Sequence, residues 1–204
     1  MRLNLINKNN TAVLVIDIQN AYCSSKGKIS KLGFDVSHFE KMVSKIDSFV
    51  KKLRDSGFTI VFTRMIEDPK YMAENAKIKI RENKSPVISS PNTFGFSYFK
   101  ISPKREDVEI IKKSYDAFSN QKLSKILKYK HIKNLIIIGA YTPVCVDTTV
   151  RSAFTKGYNV FIPQDLVSTV KESMYQQKAV FDVWRSIFAH VTDSKSLLAY
   201  VKKR

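Results

Sequence analysis

A single cysteine at the end of an apolar run is the residue best placed for covalent chemistry. Cys145 follows the run 135–138, which is typical of a strand buried on both faces, and Gly139 ends that strand. Thr142 offers an N-cap hydroxyl, and Pro143 suits the first position of a helix. We therefore expect Cys145 in the first turn of a helix, where free N–H groups and the positive end of the helix dipole favour a thiolate.

A structural role is the alternative for this cysteine, because cysteine is among the most buried residue types. An acid and a cation at equivalent positions on other strands would favour chemistry instead. Asp17 lies within the apolar run 12–18, where a charge is unfavourable unless it is paired. Lys112 ends the run 107–112, where strand alternation places it on the same side as Ile110.

An Asp, a Lys and a Cys at the carboxyl ends of three parallel strands can converge on one crevice. Lys112 would then favour the Cys145 thiolate electrostatically, and Asp17 would take the thiol proton. Lowering a thiol pKa by one unit requires about 1.4 kcal/mol, which one ammonium group and a helix terminus can supply. These residues are our candidate catalytic site, with Lys113 as an alternative to Lys112.

The elements that must position these residues alternate between strand and helix patterns. Further strands are predicted at 58–63, 158–162 and 190–192, and helices at 36–54, near 119–129, at 171–187 and at the end of the chain. This alternation predicts a three-layer α/β/α fold with a central, mostly parallel, six-stranded Rossmann-like sheet. Without a linker or repeat, we expect a single domain over residues 1–204.

The segment 67–104 has no regular pattern and is rich in charged residues, prolines and aromatics. An irregular segment of this length inside a compact domain is typical of a lid or a pocket wall. Phe94, Phe96 and Tyr98 are therefore candidate substrate-pocket residues, with simple packing as the alternative.

The 204 residues carry a formal net charge of +17. Clustered basic residues bind nucleic acids, but here lysines and arginines are scattered, so a basic binding module is the less favoured interpretation and no dedicated nucleic-acid site is expected. No apolar run is long enough to span a membrane, and no signal peptide is recognisable. Two cysteines, Cys23 and Cys145, form no disulfide framework, which favours a cytoplasmic protein and a structural role for Cys23.

Three motifs resemble the isochorismatase-like cysteine hydrolases, which include nicotinamidases, N-carbamoylsarcosine amidase, ureidoacrylate amidohydrolase and biuret hydrolase. The motifs are V-L-V-I-D-I-Q-N, K-K-S-Y-D-A-F and G-A-Y-T-P-V-C-V-D-T-T-V-R-S-A-F, and the resemblance extends from Ala12 to about Leu198. It implies the isochorismatase-like hydrolase fold and a cysteine amidohydrolase that cleaves a C–N bond of a small amide or carbamoyl substrate through a thioester.

The resemblance also implies roles for particular residues. The family spacing selects Lys112 over Lys113. It implies a cis peptide bond at Ala140–Tyr141 and an oxyanion hole formed by the backbone N–H groups of Tyr141 and Cys145. Family members commonly form homodimers or homotetramers.

Departures from the family pattern also carry information. The chain has three histidines and lacks the Asp-x-His of the nicotinamidases, so we expect no metal and no other cofactor. Ala21 replaces an acid that is frequent in the family. Isochorismate hydrolases cleave a vinyl ether and look like family relatives that have glycine at the nucleophile position. Cys145 therefore argues against that activity.

One further motif must be weighed. Cys145 and Arg151 match the C-x5-R spacing of cysteine phosphatases, but the intervening residues contain no glycine for a phosphate loop. Along a helix, six residues also turn Arg151 away from the direction of Cys145.

Overall fold

The computed structural model describes residues 3–202, in which seven strands form one sheet between helices. The strands are β1 Thr11–Ile16, β2 Thr59–Met65, β3 Val108–Lys112, β4 Asn134–Ala140, β5 Asn159–Pro163, β6 Val167–Ser168 and β7 His190–Thr192. The helices are α1 Asn20–Cys23, α2 Lys28–Lys31, α3 Phe39–Asp55, α4 Glu74–Glu82, α5 Gln121–Tyr129, α6 Asp147–Thr155, α7 Met174–Val183 and α8 Ser194–Lys202. None of the helices in this range is long and apolar enough to cross a membrane.

The sheet has the order β3-β2-β1-β4-β5-β7, and every strand pairing in it is parallel. This confirms the α/β fold expected from the sequence, with one addition. The two-residue strand β6 pairs with β4 only and makes a seventh strand, which is too short to produce a sequence pattern.

Apolar side chains from the two faces of the sheet enter two separate cores. Val13 and Val15 of β1 pack with the α3 side, whereas Leu14 and Ile16 pack with the α5 and α6 side. Because both faces of β1 are covered, all six of its residues are buried. The sheet is therefore the middle layer of three, and its carboxyl edge remains the place where polar side chains can meet.

Two predicted segments differ from the structure. The stretch 67–104 is not wholly irregular, since α4 Glu74–Glu82 lies within it. None of the α4 residues is fully buried, and Ala76 and Ile80 pack against the core, which is too short an apolar face to give a clear sequence pattern. The helix predicted over 171–187 ends as an α-helix at Val183 and continues as a π-helical turn, Trp184–Phe188, around the buried Trp184.

Gly139 provides a test of the central strand pairing. It has φ +124° and lies opposite Ile16 of β1, so an added Cβ would meet Ile16 O at 2.2 Å. We expect Gly139→Ala to lower the free energy of unfolding by at least about 3 kcal/mol in urea titrations. Gly157→Ala is the matched control: φ there is +85° with nothing within 4 Å, so the loss should be about 1 kcal/mol. Equal losses would contradict the pairing.

Candidate active site

Three strands deliver the candidate residues to the carboxyl edge of the sheet. Asp17 follows the last residue of β1, Lys112 is the last residue of β3, and Cys145 lies in the turn after β4. Parallel pairing brings these ends together, with β2 between β3 and β1. All three residues are buried. The structure thus places the three sequence-predicted residues in one cluster.

A buried ion pair forms the base of this cluster. Lys112 Nζ lies 2.7 Å from Asp17 Oδ2, and both side chains are almost fully inaccessible to solvent. The ammonium group also donates hydrogen bonds to the carbonyl oxygens of Ser114 at 3.1 Å and Tyr115 at 3.0 Å. These partners compensate for the loss of hydration, so Lys112 is held charged beside Asp17.

Lys113, the alternative considered from the sequence, lies elsewhere. Its side chain is exposed, and its ammonium group lies 5.7 Å from the centre of the Tyr71 ring. The register of β3 explains the difference, because Lys112 lies opposite Met65 of β2 with its side chain buried.

Thr63 of β2 fixes the orientation of Asp17. Its hydroxyl donates to Asp17 Oδ1 at 2.6 Å and accepts from the Asp17 N–H at 3.2 Å. Asp17 has φ 48°, a left-handed conformation that is uncommon for a residue other than glycine. The sequence reasoning missed Thr63, although a threonine within the apolar strand I-V-F-T was a usable signal.

We expect Thr63→Val to lower kcat by about tenfold or more while KM changes little, because the carboxylate loses its orienting donor. The unpaired buried acceptor should also lower the free energy of unfolding by about 1–3 kcal/mol. Thr63→Ser, which keeps the hydroxyl, should restore most of kcat. Steady-state kinetics on the substrate found by the assay below checks this, and a Thr63→Ser variant as slow as Thr63→Val would contradict the positioning role.

The local structure around Cys145 differs from the expected first turn of an α-helix. Cys145 lies in a π-helical turn, Thr142–Val146, and α6 begins only at Asp147. Thr142 does not cap a helix; its buried hydroxyl donates to Gln177 Oε1 at 2.7 Å. Burial against α7 gives this hydroxyl a side-chain partner in place of the backbone N–H expected from the sequence.

The electrostatics of Cys145 also differ from the expected thiolate. Burial raises the pKa of the Cys145 thiol well above its ordinary value; the Lys112 ammonium opposes this shift, and Asp17 adds to it through charge and a side-chain hydrogen bond. The direction of this shift favours the neutral thiol of Cys145, which lies in one cluster with the Asp17 side chain. Such an arrangement suits proton transfer to Asp17 during nucleophilic attack rather than a preformed thiolate.

Tyr141 connects the end of β4 to the cysteine turn. The Ala140–Tyr141 peptide bond is cis. The Tyr141 hydroxyl donates to the carbonyl oxygen of Tyr22 at 2.8 Å, and its ring stacks on Phe39 at 5.5 Å. Among residues 3–202, no acceptor is assigned to the Tyr141 backbone N–H. The Tyr141 side chain is therefore fixed between Tyr22 and Phe39.

Gln19 joins the site to the segment that follows β2. Its buried side-chain amide donates to Met65 O at 3.1 Å and to Ser89 Oγ at 2.9 Å, and its Oε1 accepts from the Met65 N–H at 2.7 Å. Gln19 therefore holds the end of β2 against Ser89. It is a second residue that the sequence reasoning did not assign, although it belongs to the first motif.

A cavity of about 540 Å³ lies at the end of β2, and Asp17, Lys112 and Cys145 are not among the residues that line it. Its wall includes Glu67, Tyr115 and side chains of α4 and of the segment after it, among them Ile80 and Ile88. Tyr115 lines the cavity and also contacts the buried ion pair, because its carbonyl oxygen accepts a hydrogen bond from Lys112. The cavity is thus linked to the ion pair through Tyr115.

The three aromatic residues expected to line a pocket do not line this cavity. Phe96 and Tyr98 flank the guanidinium group of Arg64 at 4.3 and 4.9 Å, and the Tyr98 hydroxyl donates to Glu109 at 2.8 Å. Phe94 is exposed and borders a separate surface depression. The rings of Phe96 and Tyr98 therefore pack on Arg64.

Three other residues that the sequence singles out, Arg151, Ala21 and Cys23, have structural roles. Arg151 donates to Asp147 at 2.9 Å and lies over the Phe188 ring at 4.7 Å, so the C-x5-R spacing forms no phosphate loop with Cys145. Ala21 and Cys23 are buried in the core, and the Ala21 N–H donates to Gly95 O at 3.0 Å. Ala21 therefore packs against the 94–99 loop.

The part of the chain that the structure describes contains no cluster of residues that could bind a metal ion. No three His, Cys, Asp or Glu side chains there are arranged to hold an ion. His38 contacts Ser168 Oγ at 2.9 Å, and the His190 ring stacks on Phe161. Both histidines thus contact neighbouring residues of the fold.

Comparisons with known proteins agree with this fold. A family model described as the Isochorismatase domain matches residues 11–196. The ureidoacrylate amidohydrolase RutB of Yersinia enterocolitica is 28% identical over 197 residues, which cover 90% of this chain and 85% of that protein.

Two solved structures show the same fold. A cysteine hydrolase of Pseudomonas syringae pv. phaseolicola matches with a TM-score of 0.84 at 20% identity, covering 97% of this chain and 95% of that one. An N-carbamoylsarcosine amidase of Thermoplasma acidophilum matches with a TM-score of 0.72 at 21% identity, covering 91% and 96%.

A parallel α/β sheet with Asp, Lys and Cys gathered at its carboxyl edge defines the class: an α/β protein of the isochorismatase-like hydrolase fold. With the family model matching most of its length, the chain belongs to the isochorismatase family.

Proposed function

We propose that this protein is a cysteine-dependent amidohydrolase that cleaves a C–N amide or carbamoyl bond of a small molecule. The observation that carries the proposal is the buried Asp17–Lys112 ion pair at 2.7 Å, coupled electrostatically to the buried Cys145 thiol. A base, a cation and a nucleophile in one buried cluster suit covalent catalysis better than a binding surface.

In the first half of the reaction, Cys145 Sγ attacks the carbonyl carbon while Asp17 takes the thiol proton. The backbone N–H groups of Tyr141 and Cys145 stabilise the tetrahedral oxyanion. Collapse of this intermediate breaks the C–N bond, and the leaving ammonia or amine receives the proton from Asp17. A thioester on Cys145 remains.

In the second half, Asp17 takes a proton from water as the water oxygen attacks the thioester carbon. The C–S bond breaks, and the proton returns to Cys145 to regenerate the thiol. Lys112 holds Asp17 in place and stabilises negative charge on sulfur during both halves. One carboxylate thus serves as base and acid in turn.

The relatives support the choice of a C–N bond. One is named an amidohydrolase and another an amidase. A cysteine at the nucleophile position favours this reaction over the vinyl ether hydrolysis of isochorismatase.

The test is ammonia release from a panel of primary amides, ureas and carbamoyl compounds, with isochorismate in a parallel assay. The proposal expects turnover of at least one C–N compound. Vinyl ether hydrolysis without any C–N cleavage would contradict it and would favour the isochorismatase-type activity.

Several sequence expectations stay predictions beside this one: a single domain over the chain, assembly as a homodimer or homotetramer, a cytoplasmic location, and the absence of a cofactor and of a dedicated nucleic-acid site.

A further inference from the structure

Glu67 is a second acidic residue at the carboxyl edge of the sheet, and the proposed mechanism does not use it. It lies two residues beyond the end of β2. The N–H of the preceding residue, Ile66, donates to Lys112 O at 2.8 Å, and the Glu67 N–H donates to Ser89 O at 2.9 Å. Backbone bonds on both sides therefore fix Glu67 next to the catalytic lysine.

The carboxylate of Glu67 is held at one oxygen. The Tyr22 hydroxyl donates to Glu67 Oε2 at 2.8 Å. Within residues 3–202, no hydrogen bond to Oε1 and no ion pair of Glu67 is found, although this chain carries 35 lysines and arginines. Oε1 is not fully enclosed by protein, and Glu67 is one of the residues that line the cavity.

Hydrogen bonds connect Glu67 to the cysteine side of the site: the Tyr22 hydroxyl donates to Glu67, and the Tyr22 carbonyl oxygen accepts from the hydroxyl of Tyr141, which precedes the cysteine turn. Burial is the main cause of the raised pKa of the Cys145 thiol and of the Tyr115 and Tyr141 hydroxyls, and the charge of Glu67 adds to it in each case. Burial raises the pKa of Glu67 itself, while the Tyr22 hydrogen bond and the Lys112 charge act in the opposite direction. The wall of this cavity thus carries one acidic side chain, Glu67, and one basic side chain, Lys79, whose ammonium group is paired with Glu82 at 3.0 Å. We refer to the Glu67 side of the cavity as the acidic wall.

We propose that Glu67 determines substrate specificity: its free carboxylate oxygen accepts hydrogen bonds from N–H groups of the substrate. The favoured substrate is an amide or ureido compound that presents N–H donors, neutral or positively charged, to this wall. A substrate that presents a carboxylate to Glu67 is disfavoured, because both carboxylates can only accept hydrogen bonds. The identity of the substrate rests on the proposed function, whereas the acidic wall beside Cys145 does not.

The test measures the charge preference of the Cys145 site without any substrate. Methanethiosulfonate reagents with the same ethyl spacer, one carrying an ammonium and one a sulfonate, each form a mixed disulfide with a thiol and release methanesulfinate. A Cys23→Ala background leaves Cys145 as the one cysteine of the chain. The ratio of the two labelling rates is compared in this background, in Glu67→Gln, in Glu67→Asp and in Glu106→Gln, the last removing the same charge from an exposed side chain.

We expect the cationic reagent to react faster in the background protein, and Glu67→Gln to reduce the cation-to-anion ratio by roughly tenfold. Glu67→Asp and Glu106→Gln should leave most of the ratio intact. An unchanged ratio in Glu67→Gln, or no labelling by either reagent, would overturn the proposal, because Cys145 would then not open to the wall that Glu67 forms. If the ratio shifts as expected but no C–N compound is turned over, the proposed function fails and the acidic wall stands.

Discussion

Replacing Cys145 by alanine is expected to lower turnover of the best amide substrate by a factor on the order of 10⁴ or more. The alanine removes the only atom in the cluster that can form the acyl intermediate. It leaves Asp17 and Lys112 paired, so the protein should remain folded, and ammonia release per minute is the measurement. The expected loss is in kcat, because substrate binding does not require the sulfur atom.

Cys23→Ala is the matched control for this variant. Cys23 is also a buried free thiol, and burial raises its pKa, but it lies in α1 and packs in the core on the α3 side of the sheet. Turnover should be retained when Cys23 is replaced. A Cys145→Ala protein with parental turnover would contradict the covalent scheme.

Asp17→Asn is expected to reduce turnover by about 10³-fold, because an amide cannot take the thiol proton or activate water. It should also lower the free energy of unfolding by roughly 3 kcal/mol, since Lys112 would remain charged, buried and without its counterion. Activity assays and urea unfolding measure the two effects separately. The stability loss complicates the activity result and calls for a second variant.

The double variant Asp17→Asn, Lys112→Met separates catalysis from stability. Removing both charges leaves no uncompensated buried ion, so most of the free energy of unfolding should return. Turnover should stay as low as in Asp17→Asn or fall further. A double variant that regains activity along with stability would show that the ion pair is structural and that another group is the base.

The convergence of Asp17, Lys112 and Cys145 could be predicted because it depends on topology alone. Each residue comes at the end of an apolar run, and parallel strands place such ends along one edge of the sheet. The strand registers then place Lys112 rather than Lys113 in the cluster, because only Lys112 is buried opposite β2.

The remaining features depend on packing that no local pattern records. The raised pKa of Cys145 follows from burial, whereas the sequence shows only a helix start and a nearby lysine. Thr63 and Gln19 act through contacts with residues far along the chain, 46 positions away for the Thr63–Asp17 bond. The sequence around Glu67 does not single it out. Its importance follows from the cavity that it lines and from its lack of an ion-pair partner among the described residues, and both depend on the three-dimensional structure.

The central claim is that Cys145 becomes acylated, and acid-quenched mass spectrometry during turnover tests it most directly. Peptide mapping should find the acyl part of the substrate on the Cys145 peptide, at levels that rise and fall with substrate consumption, and hydroxylamine should remove it as expected for a thioester. Cys145→Ala should show neither the adduct nor turnover. Continued ammonia release by Cys145→Ala, with no adduct on the parent protein, would contradict the account.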